Sequence, residues 1–290
     1  MITAVILALI LSALPGLSHA KTLTIGLIPE QNVFKQVERF TPLGEYLEKK
    51  TGIKVKFTML SRYGNIIDRF TSERMDGAFF GSFTGALAIQ KLGVEPLARP
   101  ANLDGPATYR GYIFVRKDSG IKTVDNMRGR TIVFVERATT AGYVYPIAFL
   151  RQHGIADINS YFRRHYFAGS HDAAIYAVLD RKADVGCAKH SIFDMLARSD
   201  PRITRDLRIV ATSPAVPSNG LCVRKDMDAE TKRLLREALL GMNEDPEGRA
   251  VLAQFSALRF VPAAREDYKP VFDIAEKAGI DMKNYQYLNK

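Results

Sequence analysis

Residues 131–150 read Thr131-Ile-Val-Phe-Val-Glu-Arg-Ala-Thr-Thr-Ala-Gly-Tyr-Val-Tyr-Pro-Ile-Ala-Phe-Leu150 and predict a strand, a tight turn and a helix. The first five residues are strand-like, residues 138–142 are small, and apolar residues then recur at helical spacing up to His153-Gly154. Such a turn presents backbone N–H groups at the positive end of a helix dipole, beside the hydroxyls of Thr139 and Thr140. The stretch therefore predicts an anion site, although either threonine could serve only as the N-cap that any helix needs.

A second junction of the same kind lies earlier in the chain. The short apolar strand Asp76-Gly-Ala-Phe-Phe80 is followed by Gly81-Ser82-Phe83-Thr84-Gly85, which opens a helix that ends at Leu92-Gly93. Gly81 and Ser82 again place a small residue and a hydroxyl at a helix start, with a plain N-cap as the alternative. Two such turns on either side of a mid-chain hinge predict two lobes that close on one small solute.

Strands alternate with helices along the whole chain, which predicts an α/β fold in which each lobe is a mainly parallel sheet flanked by helices. The run from Pro96 to Ala107 is rich in Pro, Gly and Ala, and we expect it to be a loop and the first hinge crossing between the lobes. We place the first lobe at residues 21–107, completed by about 246–290, and the second lobe at residues 108–245.

The first 20 residues carry no Asp, Glu, Lys or Arg, and an apolar run from Ala4 to Leu11 precedes Ser18-His19-Ala20. This pattern predicts a signal peptide at residues 1–20 and a mature, exported chain that begins near Lys21. A membrane anchor is the rival interpretation, but the apolar run is shorter than the roughly 20 residues that a bilayer requires.

The chain has 290 residues, 47% hydrophobic and 25% charged, which is enough material for two lobes. Its 41 Lys and Arg residues against 31 Asp and Glu residues give a formal charge of +10 at pH 7. A basic surface favours anionic partners and steers a small anion toward a cleft. We do not expect nucleic acid as the partner, because the basic residues are scattered among acids and an exported protein seldom meets nucleic acid.

The two cysteines, Cys187 and Cys222, each lie within a short apolar strand-like run. In an oxidising compartment they could pair if their strands are neighbours, and two buried free thiols are the alternative. Cys187 also has to be considered as a nucleophile, although no base stands near it in the sequence. The chain has no His-Glu-x-x-His, Cys-x-x-Cys, Gly-x-Ser-x-Gly or Walker motif, so we predict neither catalysis, nor a metal, nor a cofactor.

Several motifs follow one another in a specific order: Ile25-Gly-Leu-Ile-Pro29, Tyr46-Leu-Glu-Lys-Lys-Thr-Gly52, Tyr63-Gly64, Asp76-Gly-Ala-Phe-Phe-Gly-Ser82, Gly111-Tyr-Ile-Phe-Val-Arg-Lys117 and His171-Asp-Ala-Ala-Ile-Tyr-Ala-Val178. Together they resemble the phosphate/phosphonate-type solute-binding proteins of ABC importers, over essentially the whole mature chain. The resemblance implies a two-lobed type II periplasmic-binding-protein fold, a phosphorus oxyanion held between helix N-termini, and delivery to a permease in the inner membrane. We expect a monomer in the periplasm.

The same resemblance implies positions for the ligand-binding residues. The family's oxyanion loop maps onto Thr139, Thr140 and Ala141, and its other cleft positions map onto Tyr63, Phe80 and His171. With the second turn, the expected ligand-binding set is Tyr63, Phe80, Gly81, Ser82, Thr139, Thr140, Ala141 and His171. Three of these have plainer alternatives, since His171 could cap a helix, Tyr63 could pack as a wall residue and Phe80 could belong to the core.

The sequence also departs from the family pattern in ways that bear on the ligand. Relatives that take up aminoalkylphosphonates hold the ammonium group with carboxylates, and those positions correspond here to Lys189-His190-Ser191 and Asn219. A plain oxyanion such as phosphate, phosphite or a short alkylphosphonate therefore fits better. Glu30 would repel an anion, so we expect it to be solvated or to organise neighbouring groups through hydrogen bonds.

The sequence thus predicts a periplasmic binding protein that captures a phosphorus oxyanion in an interlobe cleft for an ABC importer. Two alternatives remain at this point. One is a sensory binding protein that presents its ligand state to a membrane receptor kinase, and the other is an enzyme on the same fold that uses a cleft cysteine.

Overall fold

The computed structural model describes residues 21–31 and 33–289, so the predicted signal peptide at residues 1–20 lies outside the described part of the chain. The strands are β1 (Thr22–Leu27), β2 (Lys54–Met59), β3 (Gly77–Phe80), β4 (Glu95–Ala101), β5 (Thr108–Tyr109), β6 (Gly111–Arg116), β7 (Thr131–Phe134), β8 (Arg164–Phe167), β9 (Val185–Lys189), β10 (Leu207–Thr212), β11 (Val216–Pro217), β12 (Gly220–Val223) and β13 (Arg259–Pro262). The helices are α1 (Val33–Thr51), α2 (Asn65–Ser72), α3 (Ser82–Lys91), α4 (Tyr145–Gln152), α5 (Ile158–Tyr161), α6 (His171–Leu179), α7 (His190–Ser199), α8 (Arg202–Asp206), α9 (Ala229–Leu240), α10 (Pro246–Phe255) and α11 (Lys269–Lys277).

Two large sheets form the centres of two lobes. The first sheet has the strand order β13-β4-β12-β3-β1-β2, and the second has the order β10-β6-β9-β7-β8. Helices flank both sheets, so the predicted α/β fold class is confirmed. Both sheets mix parallel and antiparallel pairs, however, whereas the sequence predicted mainly parallel sheets. A separate two-stranded ribbon joins β5 to β11 in antiparallel pairing. This ribbon lies where the chain passes from one lobe to the other and back.

The directions of the strands follow from where the chain crosses between the lobes. Strands β1, β2 and β3 are parallel, as are β7, β8 and β9, whereas β6 and β12 run antiparallel to their neighbours. β6 and β12 are the first long strands after the two crossings. Because each enters its sheet from the edge where the parallel strands end, each must run in the opposite direction.

Two expectations about this region are wrong. Residues 95–101 form β4 in the first sheet, whereas the sequence predicted that a loop begins at Pro96. Strand β12 lies between β3 and β4 of the first sheet, although residues 220–223 were expected in the second lobe. Proline weakens local strand propensity because it lacks an N–H. Here pairing with β12 and β13 outweighs that weakness.

An apolar core continues from the first lobe into the second. The larger cluster includes Phe83 of α3, Phe134 of β7 and Val271 of α11, and α11 itself contacts both α3 and α4. Further along, the hydroxyl of Tyr285 donates a hydrogen bond to the carbonyl of Arg137 (3.1 Å), and the Tyr285 ring contacts Phe83 at 5.4 Å between centroids. The C-terminal segment therefore packs against both lobes beside the cleft.

A second cluster covers the other face of the first sheet. It joins α1, α9 and α10 to that sheet, with Phe40 in edge-to-face contact with Phe255 at 5.0 Å. Helices α9 and α10 therefore belong to the first lobe, together with β12 and β13. For α9 this corrects the expectation that the second lobe extends to residue 245. In the described residues, no helix is both long and apolar enough to cross a membrane.

The two cysteines lie in different sheets, Cys187 in β9 and Cys222 in β12, and both are free and buried. Burial raises the pKa of both thiols, that of Cys222 to about 12. Since the thiolate is the reactive form, neither side chain has the environment of a nucleophile. The sequence left open a disulfide or two buried free thiols, and the structure shows two buried free thiols.

We expect both thiols to be unreactive toward a thiol-specific disulfide reagent in the native protein and to react fully after unfolding in guanidinium without reductant. The reason is that they lie in separate sheets and are fully buried. Thiol counting before and after unfolding is the measurement, and two thiols per chain are expected in the unfolded protein. A melting temperature that falls on addition of reductant would contradict the free-thiol arrangement.

Candidate functional site

A small closed cavity lies between the two lobes, where the loops that follow the parallel strands meet. Its volume is about 10 Å³, which is room for about one water molecule. The lining comes from the loops after β1, β2 and β3, from those after β7 and β8, from the end of β9, and from both crossings. Loops at the carboxyl ends of parallel strands are the usual ligand-binding positions of α/β folds.

The structure brings six of the eight sequence-predicted site residues together around this cavity: Tyr63, Gly81, Ser82, Thr139, Thr140 and His171. Phe80 and Ala141 do not line it. The Phe80 ring packs against Phe70 of α2 at 5.8 Å, in the core. Ala141 packs against the backbone of Gly111, where a Cβ would lie 3.0 Å from the Ala141 Cα. Both residues therefore support the site from behind.

Three hydroxyl groups meet at the centre of the cavity. Ser82 Oγ lies 2.7 Å from Thr140 Oγ1 and 2.5 Å from the phenolic oxygen of Tyr109. Ser82 belongs to the first lobe, Thr140 to the second, and Tyr109 to the first crossing. Burial raises the pKa of Tyr109 to about 12, so its hydroxyl remains a hydrogen-bond donor. These contacts bring the two predicted turns together at one point.

Both of those turns begin helices without a side-chain cap. Gly81 precedes α3, and Thr139 precedes a turn of π-helix over Thr140–Val144 that leads into α4; neither makes a side-chain capping hydrogen bond. The first N–H groups of a helix lack intrahelical partners, and an anion can accept from them. Single π-helical turns are frequent at functional sites. The second turn is thus wider than the α-helix start that the sequence predicted.

Thr139 and Thr140 have different roles although they are adjacent. The Thr139 hydroxyl donates a hydrogen bond to the carbonyl of Glu136 at 2.6 Å. The backbone carbonyl of Thr139 accepts a hydrogen bond from the Val144 N–H at 3.0 Å. Gly142 lies so close that a Cβ there would be 2.4 Å from Val135 Cβ. Thr139 and Gly142 therefore shape the turn, whereas the Thr140 hydroxyl points to Ser82.

Tyr63 supplies a hydroxyl with no hydrogen-bond partner among the described residues, although the side chain is buried. Burial raises its pKa well above the usual value, so the group stays protonated. Its ring contacts His171 edge to face, with 6.1 Å between centroids. A buried hydroxyl without a partner costs about 1–3 kcal/mol, which a ligand oxygen in the cavity would recover.

His171 is held as a neutral donor. Its Nδ1 accepts the backbone N–H of Lys189 at 3.1 Å, which places the remaining ring proton on Nε2. Burial, opposed by Glu30 but helped by Lys189, lowers the pKa of His171 to about 4. At neutral pH the Nε2–H can therefore donate to an acceptor in the cavity, and the ring adds no charge.

A buried ion pair crosses between the lobes at one side of the cavity. Lys189 Nζ lies 2.8 Å from Glu30 Oε1, and Arg39 lies 3.4 Å from the other oxygen of Glu30. Burial alone would raise the pKa of Glu30, but Lys189 and Arg39 hold it down at about 2. Glu30 is therefore charged and paired rather than solvated. It organises neighbouring groups, which is the second of the two roles that the sequence analysis expected.

The carboxylate of a second glutamate, Glu136, also forms a hydrogen bond between the lobes. It accepts the backbone N–H of Tyr63 at 3.2 Å. Burial raises its pKa to about 7, and the Tyr63 N–H and Arg62 reduce that rise only in part. Glu136 is thus a buried carboxyl group whose pKa lies near neutral pH.

Sequence reasoning missed Tyr109, Glu136 and the contact of Lys189 with Glu30. For Tyr109 the available signal in the sequence was its position at a crossing between the lobes. Glu136 was visible as the first charged residue after the strand of the quoted stretch. The partnership of Glu30 with Lys189 had no local signal, because the two residues are 159 positions apart.

A wide groove of about 640 Å³ adjoins the cavity. Glu30, Lys189 and Asn219 line both spaces, so they form the wall between them. Within residues 21–31 and 33–289, the His, Cys, Asp and Glu side chains form no group of three or more that could hold a metal ion. Hydroxyl, imidazole and backbone N–H groups of the lining give the cavity its hydrogen-bond donors.

Two lobes, paired crossings and an enclosed cavity of donors define a two-lobed α/β binding protein with an interlobe ligand site. The family model described as "ABC transporter, phosphonate, periplasmic substrate-binding protein" matches residues 25–268. The chain belongs to this family of periplasmic binding proteins, and the predicted resemblance is confirmed.

Individual relatives agree with the family. The phosphonates-binding periplasmic protein of Escherichia coli is 25% identical over 275 residues, which are 91% of this chain and 80% of that protein. The probable ABC transporter phosphite binding protein PhnD1 of Prochlorococcus marinus is 24% identical over 275 residues, 91% of this chain and 92% of that one. The solved structure of PhnD1 from Prochlorococcus marinus in complex with methylphosphonate shares the fold, with a TM-score of 0.79 and 22% identity over 90% of this chain and 99% of that chain.

Replacing Glu136 with glutamine should make the folding stability of the protein depend less on pH. Because the pKa of Glu136 is raised from 4.5 to about 7, the folded protein binds more protons than the unfolded chain between those pH values. Stability contributed by this group therefore falls as pH rises through that window. The measurement is the melting temperature of each protein at pH 5 and at pH 8. The melting temperature of Glu136→Gln minus that of the wild type should be about 2 °C or more higher at pH 8 than at pH 5.

Glu276→Gln changes an exposed glutamate of α11 and is the matched control. Its melting temperature should follow the wild type at both pH values. The raised pKa of Glu136 would be refuted if the two variants behave alike.

Proposed function

We propose that this protein is the periplasmic solute-binding component of an ABC importer and that it captures a small phosphorus oxyanion in the interlobe cavity. The observation that carries the proposal is a closed cavity whose donors come from both lobes. Ser82 and Tyr63 belong to the first lobe, and Thr140 and His171 to the second. A ligand bound to all four would hold the lobes together.

The chemistry of these groups suits an oxyanion. Each of the four presents an O–H or N–H, and the helix starts at Ser82 and Thr140 add backbone N–H groups. Hydrogen bonds to a charged acceptor contribute about 1.5–3 kcal/mol each. A tetrahedral oxyanion is larger than the present cavity, so its binding separates Ser82 from Thr140 and replaces their mutual hydrogen bond with bonds to the ligand.

The ligands of the named relatives support this ligand class. One relative is described as phosphonate-binding and another as phosphite-binding, and a structure of the same fold contains methylphosphonate. Phosphate, phosphite and short alkylphosphonates share the tetrahedral oxyanion that these donors fit. The formal charge of +10 would assist encounter with any of them.

The proposal extends to location and partner. Residues 1–20 would act as the signal peptide, the mature protein would work as a monomer in the periplasm, and the ligand-bound form would dock on a permease in the inner membrane. Catalysis is not part of the proposal, since Cys187 is buried in β9 and does not line the cavity. Nor does any observation in the site favour a receptor kinase over a permease as the partner.

The test of the function is titration calorimetry of residues 21–290 with phosphate, phosphite, methylphosphonate and sulfate. At least one phosphorus oxyanion should bind and should raise the melting temperature. A ligand at 100 times its dissociation constant adds about 2.7 kcal/mol to stability. Absence of binding by every phosphorus oxyanion would overturn the proposed function.

The variant Thr140→Val then assigns the binding to the cavity. It removes the hydroxyl that faces Ser82 and should weaken binding about tenfold or more, the equivalent of one hydrogen bond to a charged acceptor. Thr41→Val is the matched control, because the Thr41 hydroxyl is exposed on α1 and donates to the carbonyl of Val37. The control should bind like the wild type.

Tyr63→Phe should change stability and affinity in opposite directions. The Tyr63 hydroxyl is buried without a partner, so its removal should leave the free protein as stable as the wild type or more stable. Ligand affinity should fall about tenfold because one donor is lost. Melting temperature of the free protein and calorimetric affinity are the two measurements.

Tyr161→Phe provides the contrast, since the Tyr161 hydroxyl donates to the carbonyl of Val124 at 2.7 Å, remote from the cavity. That variant should lose stability and keep its affinity. A Tyr63→Phe variant that binds with wild-type affinity would remove Tyr63 from the site.

A further inference from the structure

The side-chain ammonium of Lys189 is enclosed by three groups of different chemistry. Glu30 Oε1 lies 2.8 Å from Nζ, Asn219 Oδ1 lies 3.4 Å from it, and the ring of Tyr109 lies 4.5 Å from it, measured to the centroid. Only 11% of the Lys189 side chain and 6% of the Glu30 side chain are exposed. The ammonium is therefore almost completely removed from water.

A carboxylate, an amide oxygen and an aromatic face are together the groups that recognise a primary ammonium. The carboxylate and the amide oxygen accept its N–H groups, and the ring attracts its charge through the quadrupole of the π system. The three groups come from different parts of the chain: Glu30 follows β1, Tyr109 lies in the first crossing and Asn219 ends the second. Lys189, from the second lobe, inserts its ammonium among them when the lobes are closed.

This ammonium site adjoins the proposed oxyanion site directly. Tyr109 belongs to both, because its hydroxyl contacts Ser82 while its ring faces Lys189. His171 accepts the backbone N–H of Lys189 itself. The groups of the ammonium site thus line the same cavity as the oxyanion donors, so one ligand with an oxyanion and a short substituent could contact both.

We propose that Glu30, Asn219 and Tyr109 form an ammonium-binding site which the protein fills with its own Lys189, and that Lys189 thereby excludes phosphonates with an ammonium substituent. The inference rests on the proposed function of the neighbouring cavity and names the ligand class more narrowly. The wild type takes oxyanions whose substituent is absent or short and uncharged. An aminoalkylphosphonate would have to displace a buried, paired ammonium and would be repelled by it.

Removing Lys189 changes this balance in a defined way. Glu30 would remain buried in the closed form with Arg39 as its partner at 3.4 Å, and its Oε1 would lose its hydrogen bond. Burying an unpaired carboxylate oxygen is unfavourable, so closure would be weakened. A ligand that carries both an oxyanion and an ammonium would restore the missing interaction and recover closure.

The experiment measures, by titration calorimetry, the binding of methylphosphonate, propylphosphonate and 2-aminoethylphosphonate to the wild type and to Lys189→Ala. Propylphosphonate matches 2-aminoethylphosphonate in size and differs by a methyl group in place of the ammonium. The wild type should bind 2-aminoethylphosphonate at least about tenfold more weakly than methylphosphonate. This difference in affinity corresponds to one charge-assisted interaction. In Lys189→Ala the affinity ratio of 2-aminoethylphosphonate to propylphosphonate should rise by at least the same factor.

Two further variants test whether the change in the affinity ratio depends on Glu30 and is specific to Lys189. The double variant Lys189→Ala with Glu30→Gln should lose the gain for 2-aminoethylphosphonate, because the carboxylate that receives the ammonium is gone. Lys182→Ala removes an exposed lysine of the same lobe and should leave every ratio unchanged. If Lys189→Ala does not fold, Lys189→Ser provides the same comparison, and the wild-type ratio is informative alone.

The outcomes separate this inference from the function on which it rests. If no phosphorus oxyanion binds the wild type, the proposed function fails. If methylphosphonate binds and the wild type takes 2-aminoethylphosphonate with similar affinity, the function stands and the ammonium site is refuted. The same refutation follows if removal of Lys189 leaves the ratio of 2-aminoethylphosphonate to propylphosphonate unchanged.

Discussion

Both crossings between the lobes leave and enter the sheets at the edge where the parallel strands end, and β5 pairs with β11 there. This constraint reverses the direction of β6 and β12, since each strand starts at that edge. It also places the loops of both sheets opposite one another, with the crossings between them. Tyr109 and Asn219 reach the cavity for this reason, although neither follows a parallel strand.

Closure depends on a few polar contacts that cross between the lobes. Ser82 meets Thr140, Glu30 meets Lys189, and the N–H of Tyr63 meets Glu136. Each contact removes polar groups from water and is favourable only while the pairing is complete. The two carboxylates differ in this respect, because Glu30 has two cationic partners and Glu136 has none as close. Burial acts to raise the pKa of both carboxyl groups, but Lys189 and Arg39 hold the pKa of Glu30 at about 2, whereas that of Glu136 rises to about 7.

In the proposed function, the groups that would face the oxyanion are neutral donors. The phenols of Tyr63 and Tyr109 stay protonated, and His171 is uncharged with its proton on Nε2. The charge of Lys189 is balanced by Glu30. In the proposed function, selection of an oxyanion would therefore come from the number and direction of O–H and N–H groups in a buried cavity, where such bonds are stronger than in water. A net positive charge in the cavity is not required.

The local elements of this site can be derived from the sequence alone: the strand and small-residue turn of residues 131–142, the helix start at Gly81-Ser82, and the alternation that defines the α/β class. These follow from residue size, side-chain hydroxyls and apolar periodicity over a few positions, and the order of motifs carried the family. Four other features follow from the fold of the whole chain: residues 95–101 are a strand despite two prolines, residues 220–223 join the first sheet, Thr140 rather than Thr139 meets Ser82, and Lys189 pairs with Glu30. Each of these depends on a partner far away in the chain, and the position of that partner is set by where the chain crosses between the lobes.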